Sequence, residues 1–379
     1  MKSNKKIKIL FAIGRLSVGG GEKLLVRQLP MVDRNRFDPH LLTLFSENKD
    51  SFGNEVSLAA DHWRKLNFKS LFDLPEWFRL LIFLKKEKFD AVVTSLFSAN
   101  LIVRIAAIIL RVPVIISYEH NLYPDKHRWQ IGMDRLLAKW TDKIIVDSEA
   151  VRKFTSKQEK IPIEKFLTMH IPPLLDSEKS RNPDLVRQEL GIPGEAKIIL
   201  TVSRLVEEKG HRYLIEAAKK VLSEVSNVYF VIVGWGHLEE SLKSQAKTLG
   251  LGDKVIFPGR IDIRDVLPLA DVYVEPAIMT DLPVAIMEAL RLEKPIVSTN
   301  VGEIPVFVRD RENGFLAEPK NPGLLAEKIL ILLADKNLRE KFGKAGGAFV
   351  KNYSLEEYEK KFEFLIHRIF SGKAETKSA

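Results

Sequence analysis

The sequence predicts an α/β protein built of two doubly wound, Rossmann-like domains. Three observations predict it. Short β-branched apolar runs alternate with longer segments of helical spacing, as in parallel sheets covered by helices. The alternation breaks at a polar stretch and then begins again. Finally, 379 residues suit two domains of ordinary size better than one.

In chain order, the first half offers strands at Ile7–Ile13, His40–Phe45, Ala91–Leu96, Pro113–Ser117, Lys143–Asp147 and Phe166–Ile171, with helical spacing over Leu74–Lys88 and Met133–Trp140. The stretch Asp176–Asp184, rich in Ser, Lys, Arg, Asn and Pro, reads as a linker. Strands resume at Lys197–Val202, Val228–Val233, Lys254–Phe257, Val272–Glu275, Pro295–Ser298 and Phe315–Ala317. Near the end, Ser354-Leu355-Glu356-Glu357 has the pattern of a capping box, ahead of an amphipathic helix over Tyr358–Phe370 and a frayed tail over Ser371–Ala379. The expected domains are residues 1–178, completed by a helix at about 355–370, and residues 183–353. Ligands of such sheets bind beyond the carboxyl ends of the strands, so a cleft with the two domains facing across it is expected.

Composition narrows the function. Apolar residues make up 45% and charged residues 29%, which is globular. With no cysteine, disulfides, thiolate metal sites and cysteine nucleophiles are excluded, and a cytoplasmic location is expected. The basic, apolar start resembles a short signal peptide but lacks a cleavage site and is read as a first strand. The longest apolar stretch, Leu101–Leu110, is broken by Arg104 and is far short of the roughly 18 to 20 residues a membrane span needs. Net charge is +9, unevenly spread: residues 1–170 carry +10 and the remainder −1. An anionic partner of the first half is expected, a membrane surface, phosphorylated lipid or acidic polymer; no nucleic-acid motif is present.

Four groups of residues can carry chemistry. Gly19, Gly20 and Gly21 follow the first strand and open a helix, where backbone N–H groups can approach an anion; the same glycines would serve an ordinary turn. Arg204 stands at the end of a strand and Lys209 at the start of the next helix, a natural diphosphate clamp or else two solvated cations. Asp281 and Pro283 suit the N-cap and first turn of a helix over Val284–Leu290, where Thr280, Leu282 and Val284 flank N–H groups that can hold phosphate or sugar oxygens; Glu288 can accept from ribose hydroxyls or lie in solvent. His120 follows a strand and is either an acid/base or sugar contact, or structural. The D-x-D metal motif, H-E-x-x-H, G-x-S-x-G and the P-loop are all absent, so no metal or resident cofactor is expected.

In this order the pieces resemble the retaining glycosyltransferases of GT-B fold, family four (glycosyl transferases group 1). The resemblance runs through Gly20-Gly21-Glu22, His120, Ser203-Arg204-Leu205 with Lys209-Gly210, Val233-Gly234-Trp235-Gly236, Phe257-Pro258-Gly259-Arg260 and Glu312 to Leu316. It implies a hexosyltransferase-type enzyme that moves a sugar from a UDP- or GDP-sugar to a glycan, polysaccharide or lipid-linked hydroxyl with retention of configuration. Arg204 and Lys209 would hold the diphosphate, Glu288 the ribose, and Gly234 and the backbone at Arg260 and Ile261 would lie near the nucleotide. The glycines would approach the phosphates and His120 the sugar.

There are departures. Thr280 stands where the family has the first glutamate of a pair, and Gly302-Glu303-Ile304-Pro305-Val306 replaces Gly-Gly-x-Pro-Glu. A nucleotide-sugar epimerase and a non-catalytic partner subunit are the alternatives. The acceptor is expected on the first domain, where His62–Leu71, Leu74–Lys88 and His127–Lys143 mix cations with Trp63, Trp77, Phe78, Trp129 and Trp140, either a membrane-docking surface or ordinary core and solvated face.

Overall fold

The computed structural model describes residues 6–17, 19–46, 51–120, 122–175, 181–280 and 282–378. The chain divides into two units, Met1–Leu174 with Leu355–Ala379, and Leu175–Ser354. In the first, strands β1 (Ile7–Ile13), β2 (Phe37–Thr43), β3 (Trp63–Lys65), β4 (Ala91–Ser95), β5 (Val114–Glu119), β6 (Lys143–Val146) and β7 (Phe166–Thr168) form one parallel sheet in the order β3-β2-β1-β4-β5-β6-β7. Between them run helices α1 (Gly20–Gln28), α2 (Leu74–Glu87), α3 (Leu96–Ile109), α4 (Arg128–Leu137) and α5 (Glu149–Glu159). Parallel crossovers are right-handed, so the rightward progression β3-β4-β5-β6-β7 puts α2 to α5 on one face and the leftward β1-β2 step puts α1 on the other. Leu10 and Ala12 of β1 and Val92 of β4 pack under Leu80, Leu84 and Ile102 of that helical layer.

Two predicted strands shift by three residues at one end, and one strand is new. Pro39 interrupts the apolar run of β2, yet the strand begins at Phe37, because β3 pairs only with Leu41–Thr43 and leaves Pro39 on a locally open edge. β7 stops at Thr168, where its sole neighbour β6 ends at Val146. Trp63–Lys65 is an edge strand that apolar spacing did not announce. The fourth helix begins at Arg128, five residues before the predicted Met133, and ends at Leu137.

Arg104, the charge that interrupts the longest apolar run, is fully buried. Its guanidinium meets Asp134 at 2.7 Å and donates to Ser117 Oγ and the Asn100 carbonyl. Lys126 reaches the same Asp134 at 2.8 Å and Glu159 at 2.6 Å, so one charge network fastens α3, α4 and α5. Burial pushes the Glu159 carboxyl up to about 7.

The second unit repeats the plan. β8 (Lys197–Val202), β9 (Val228–Val233), β10 (Val255–Ile256), β11 (Val272–Glu275), β12 (Ile296–Thr299) and β13 (Gly314–Ala317) form a parallel sheet in the order β10-β9-β8-β11-β12-β13. Its helices are α6 (Pro183–Glu189), α7 (His211–Glu224), α8 (Glu239–Thr248), α9 (Ile263–Val266), α10 (Val284–Arg291), α11 (Ile304–Phe307), α12 (Pro322–Ala334) and α13 (Lys336–Val350). Alternate residues feed two cores: Phe230 and Ile232 pack with α7, α8 and α12, whereas Val231 and Val233 pack with α9, α10 and α11.

The last helix, α14 (Leu355–Ser378), belongs to the first unit and runs through the segment expected to fray. Its Phe362 ring lies 5.7 Å from Phe11 of β1, Glu363 accepts from the Asp33 amide at 2.7 Å, and Lys373 pairs with Asp142, which anchors the far turns.

Each strand order reverses once, between β1 and β4 and between β8 and β11. A crevice opens at such a point, because the loops on either side leave in opposite directions.

Candidate active site

In the second unit, backbone hydrogen bonds stitch the loops at the carboxyl ends of β8 to β11 together. Ser203 N donates to Val233 O at 3.1 Å, Leu205 N to Trp235 O at 2.8 Å, Gly234 N to Gly259 O at 3.0 Å, and Ile278 N to Glu208 O at 2.8 Å. A side chain at Gly234 would come within 1.9 Å of the Ser203 carbonyl oxygen, so only glycine lets the β9 loop lie this close. His211 secures the β8 end from below: its Nε2 lies 3.0 Å from Ser203 Oγ and 3.2 Å from Arg204 O. A carbonyl can only accept, which assigns the proton to Nε2. Burial pushes this imidazole down to about 4, so it is neutral.

Lys209 lies in a single 3-10 turn, Glu207–Lys209, and Gly210 caps α7, so the lysine precedes the helix rather than starting it. Its ammonium is 3.6 Å from Glu275 Oε1 and 3.3 Å from Thr280 Oγ1, which joins the β8 and β11 loops across the switch point. Glu275 is buried and also accepts from the Tyr273 hydroxyl at 3.3 Å. Arg204 is held differently: its guanidinium is 62% exposed and 3.4 Å from Glu208. The two cations therefore share a strand end, one fixed and one in solvent.

Thr280 is buried. Pro283 has non-helical ψ and is the N-cap of α10 rather than its first helical residue; the helix begins at Val284, and Leu282 packs on the core. Asp281 lies outside the described residues. Glu288, in the middle of α10, is buried and so is not a solvent carboxylate. The Arg260 guanidinium covers the exposed Trp235 ring at 4.3 Å, and Ile261 is half-buried against the core.

In the first unit, Gly19 has extended backbone and is the N-cap of α1, which begins at Gly20. Ser17 Oγ donates to Glu22 in the first turn at 3.0 Å. A Cβ on Gly21 would lie 2.8 Å from the His120 ring, so the glycine loop and the histidine that the sequence singles out separately touch. His120 Nδ1 is 2.9 Å from Asp147 Oδ2, and Tyr118 stacks on the imidazole at 5.1 Å. The Tyr118 hydroxyl bonds to Tyr358 of α14. His120 is buried, and its Nε2 finds no protein partner among the described residues. Burial disfavours charge on this ring, but the adjacent Asp147 outweighs it and holds the histidine above its ordinary value.

Asp147 and Glu275 were missed in the sequence. A signal for Asp147 exists in the register: Glu119 pairs with Val146, so the residues one step beyond, His120 and Asp147, emerge side by side. Glu275 ends the predicted strand Val272–Glu275, but nothing local marks it as the partner of Lys209.

Among the described residues one group could ligate a cation, Asp38, His40 and His62. Its members come from β2 and the turn before β3; His40 Nε2 lies 3.2 Å from Asp38, and neither Lys209 nor His120 takes part.

Two parallel sheets, each with polar side chains gathered at its switch point, define a two-domain Rossmann-like α/β architecture. Sequence comparison gives it a family. Residues 183–349 match the model of the glycosyl transferases group 1, and residues 18–170 match that of glycosyltransferase family 4. The chain belongs to the group 1, family 4 glycosyltransferases, and its fold is GT-B.

Relatives agree. An Escherichia coli UDP-Gal:alpha-D-GlcNAc-diphosphoundecaprenol alpha-1,3-galactosyltransferase is 26% identical over 89% of this chain and 91% of its own. An uncharacterised glycosyltransferase of Methanocaldococcus jannaschii is 32% identical over 46% of this chain, which spans only 43% of that relative. The Anabaena protein HepE, solved in complex with UDP, superposes with TM-score 0.76 at 21% identity, over 95% of this chain and 100% of that one.

Proposed function

We propose that this glycosyltransferase takes a sugar from a UDP- or GDP-sugar and passes it to a hydroxyl of a lipid-linked or polysaccharide acceptor, with retention at the anomeric carbon and without a metal. The observation that carries the reading is Lys209, fixed by Glu275 and Thr280 at the switch point of the second sheet. A pyrophosphate there gains a cation whose side chain is already ordered, and exposed Arg204 closes on it from the strand end. As the glycosidic bond to the leaving phosphate breaks, charge grows on that oxygen, and both cations stabilise it, the task a divalent metal performs elsewhere. Trp235 with Arg260 offers a flat surface for the base, and Glu288 a ribose acceptor. His120, oriented through Nδ1 by Asp147 and with Nε2 unpaired among the described residues, is the first unit's candidate group for a sugar contact. The lipid-linked class is supported by the E. coli relative, which aligns along nine-tenths of its length.

The test is a thermal-shift panel of nucleotide sugars on the whole chain. A UDP- or GDP-sugar is expected to raise the melting point by mass action, with EDTA leaving turnover unchanged. No shift with any nucleotide sugar overturns the donor assignment, and an inverted anomeric proton signal in the NMR spectrum of the product overturns retention.

A further inference from the structure

On a surface helix the outward stripe is ordinarily polar. α2 reverses this. Its inward positions Leu80 and Leu84 are buried, while Leu74, Phe78 and Ile82, spaced four apart on the opposite side, stand in solvent. The Trp residues of the basic segments divide. Trp77 packs against the core with its indole on the Leu71 carbonyl, and Trp63 bonds to Thr43, whereas Trp140 at the end of α4 is exposed.

Topology gathers the outward residues. α2, α3 and α4 lie side by side on one face of the sheet and run antiparallel to its strands, so their carboxyl ends meet along the edge where the strands begin. Phe78, Ile82, Ile109 and Trp140, each more than half exposed, stand along that layer. Exposed Lys85, Lys86, Arg111 and Lys139 surround them. Helix dipoles explain cations at three helix ends, but they do not explain large apolar groups in water beside them.

We infer that the α2–α3–α4 face of the first unit docks on an anionic lipid surface. Phe, Ile and Trp enter the boundary of the acyl region while Lys and Arg stay with the headgroups. The inference deepens the proposed lipid-linked acceptor but does not depend on the donor, because docking needs no nucleotide sugar. Charge complementarity selects the occupant: the +10 of residues 1–170 sits in this unit.

The experiment is flotation of the whole chain with vesicles of phosphatidylcholine alone or mixed equally with phosphatidylglycerol. The wild type is expected to float with the mixed vesicles, to release in high salt, and to ignore the neutral ones. Phe78→Ser with Ile82→Ser, and separately Lys85→Glu with Lys86→Glu, should abolish flotation, each cation being worth about fivefold in partitioning. Both variants should keep the thermal shift given by the nucleotide sugar, so failure here is distinct from failure of the donor reading. Wild type that stays unbound, or variants that float as well as wild type, overturn the inference. So does a dimer in sedimentation that Phe78→Ser with Ile82→Ser dissolves, which would make the face a subunit contact.

Discussion

The two switch points share a strand plan and differ in chemistry. In the second unit a lysine spans β8 to β11, held by a buried carboxylate; in the first a histidine is backed by Asp147 and pressed against a glycine loop. The charge of the halves runs the other way: residues 1–170 carry +10, and the half with the fixed lysine carries −1. On the proposed reading the anion site lies where one cation is fixed, and the net charge belongs to the proposed lipid-facing surface.

The comparison can be broken at each end. The largest effect is expected at Lys209. Lys209→Ala should lower kcat/KM by about a hundredfold or more, through loss of leaving-group stabilisation. An equal rate in the variant would end the contrast. At the other switch point, Asp147→Asn should cost about tenfold to a hundredfold, less than His120→Ala, because it misorients the ring without removing it. Equal losses in kcat for both would mean that orientation is the whole of the histidine's role.

Stability separates the units as well. Arg104→Ala leaves Asp134 with Lys126 alone and takes a donor from the buried Ser117 hydroxyl and Asn100 carbonyl, and should cost about 1–3 kcal/mol in urea denaturation. Smaller effects come from pH. Burial holds Glu359 of α14 up at about 8 against an ordinary 4.5, so the folded state keeps a proton that the unfolded chain has released. First-unit stability should fall as pH rises from about 4.5 to about 8, and Glu359→Gln should flatten that slope. His211 of the second unit works in reverse. Lowered to about 4 from 6.5, it is protonated first in the unfolded chain, so stability should fall as pH drops from 6.5 towards about 4. Melting curves over both ranges, compared with His211→Gln, check the two signs.

Much of this was legible in the sequence. Strands Lys197–Val202, Val228–Val233 and Val272–Glu275 are buried on both faces and read as continuous apolar runs, so their bounds could be read directly. Edge strands fared worse, because Trp63–Lys65 and Phe166–Thr168 take their limits from a neighbour's length. His120 and Lys209 were visible as polar residues just past strand ends. Asp147 and Glu275 were not, since their roles come from register and from a contact between loops 66 residues apart, Lys209 to Glu275. The helical start at Pro283 failed because a proline can cap a helix as readily as begin one.

The central claim, that Lys209 grips the donor pyrophosphate, is tested most directly by titration calorimetry with UDP on the wild type and on Lys209→Ala. Binding to the wild type and at least a tenfold weaker affinity in the variant, at matched folding, is the result the account predicts. Equal affinity in the two proteins would contradict it.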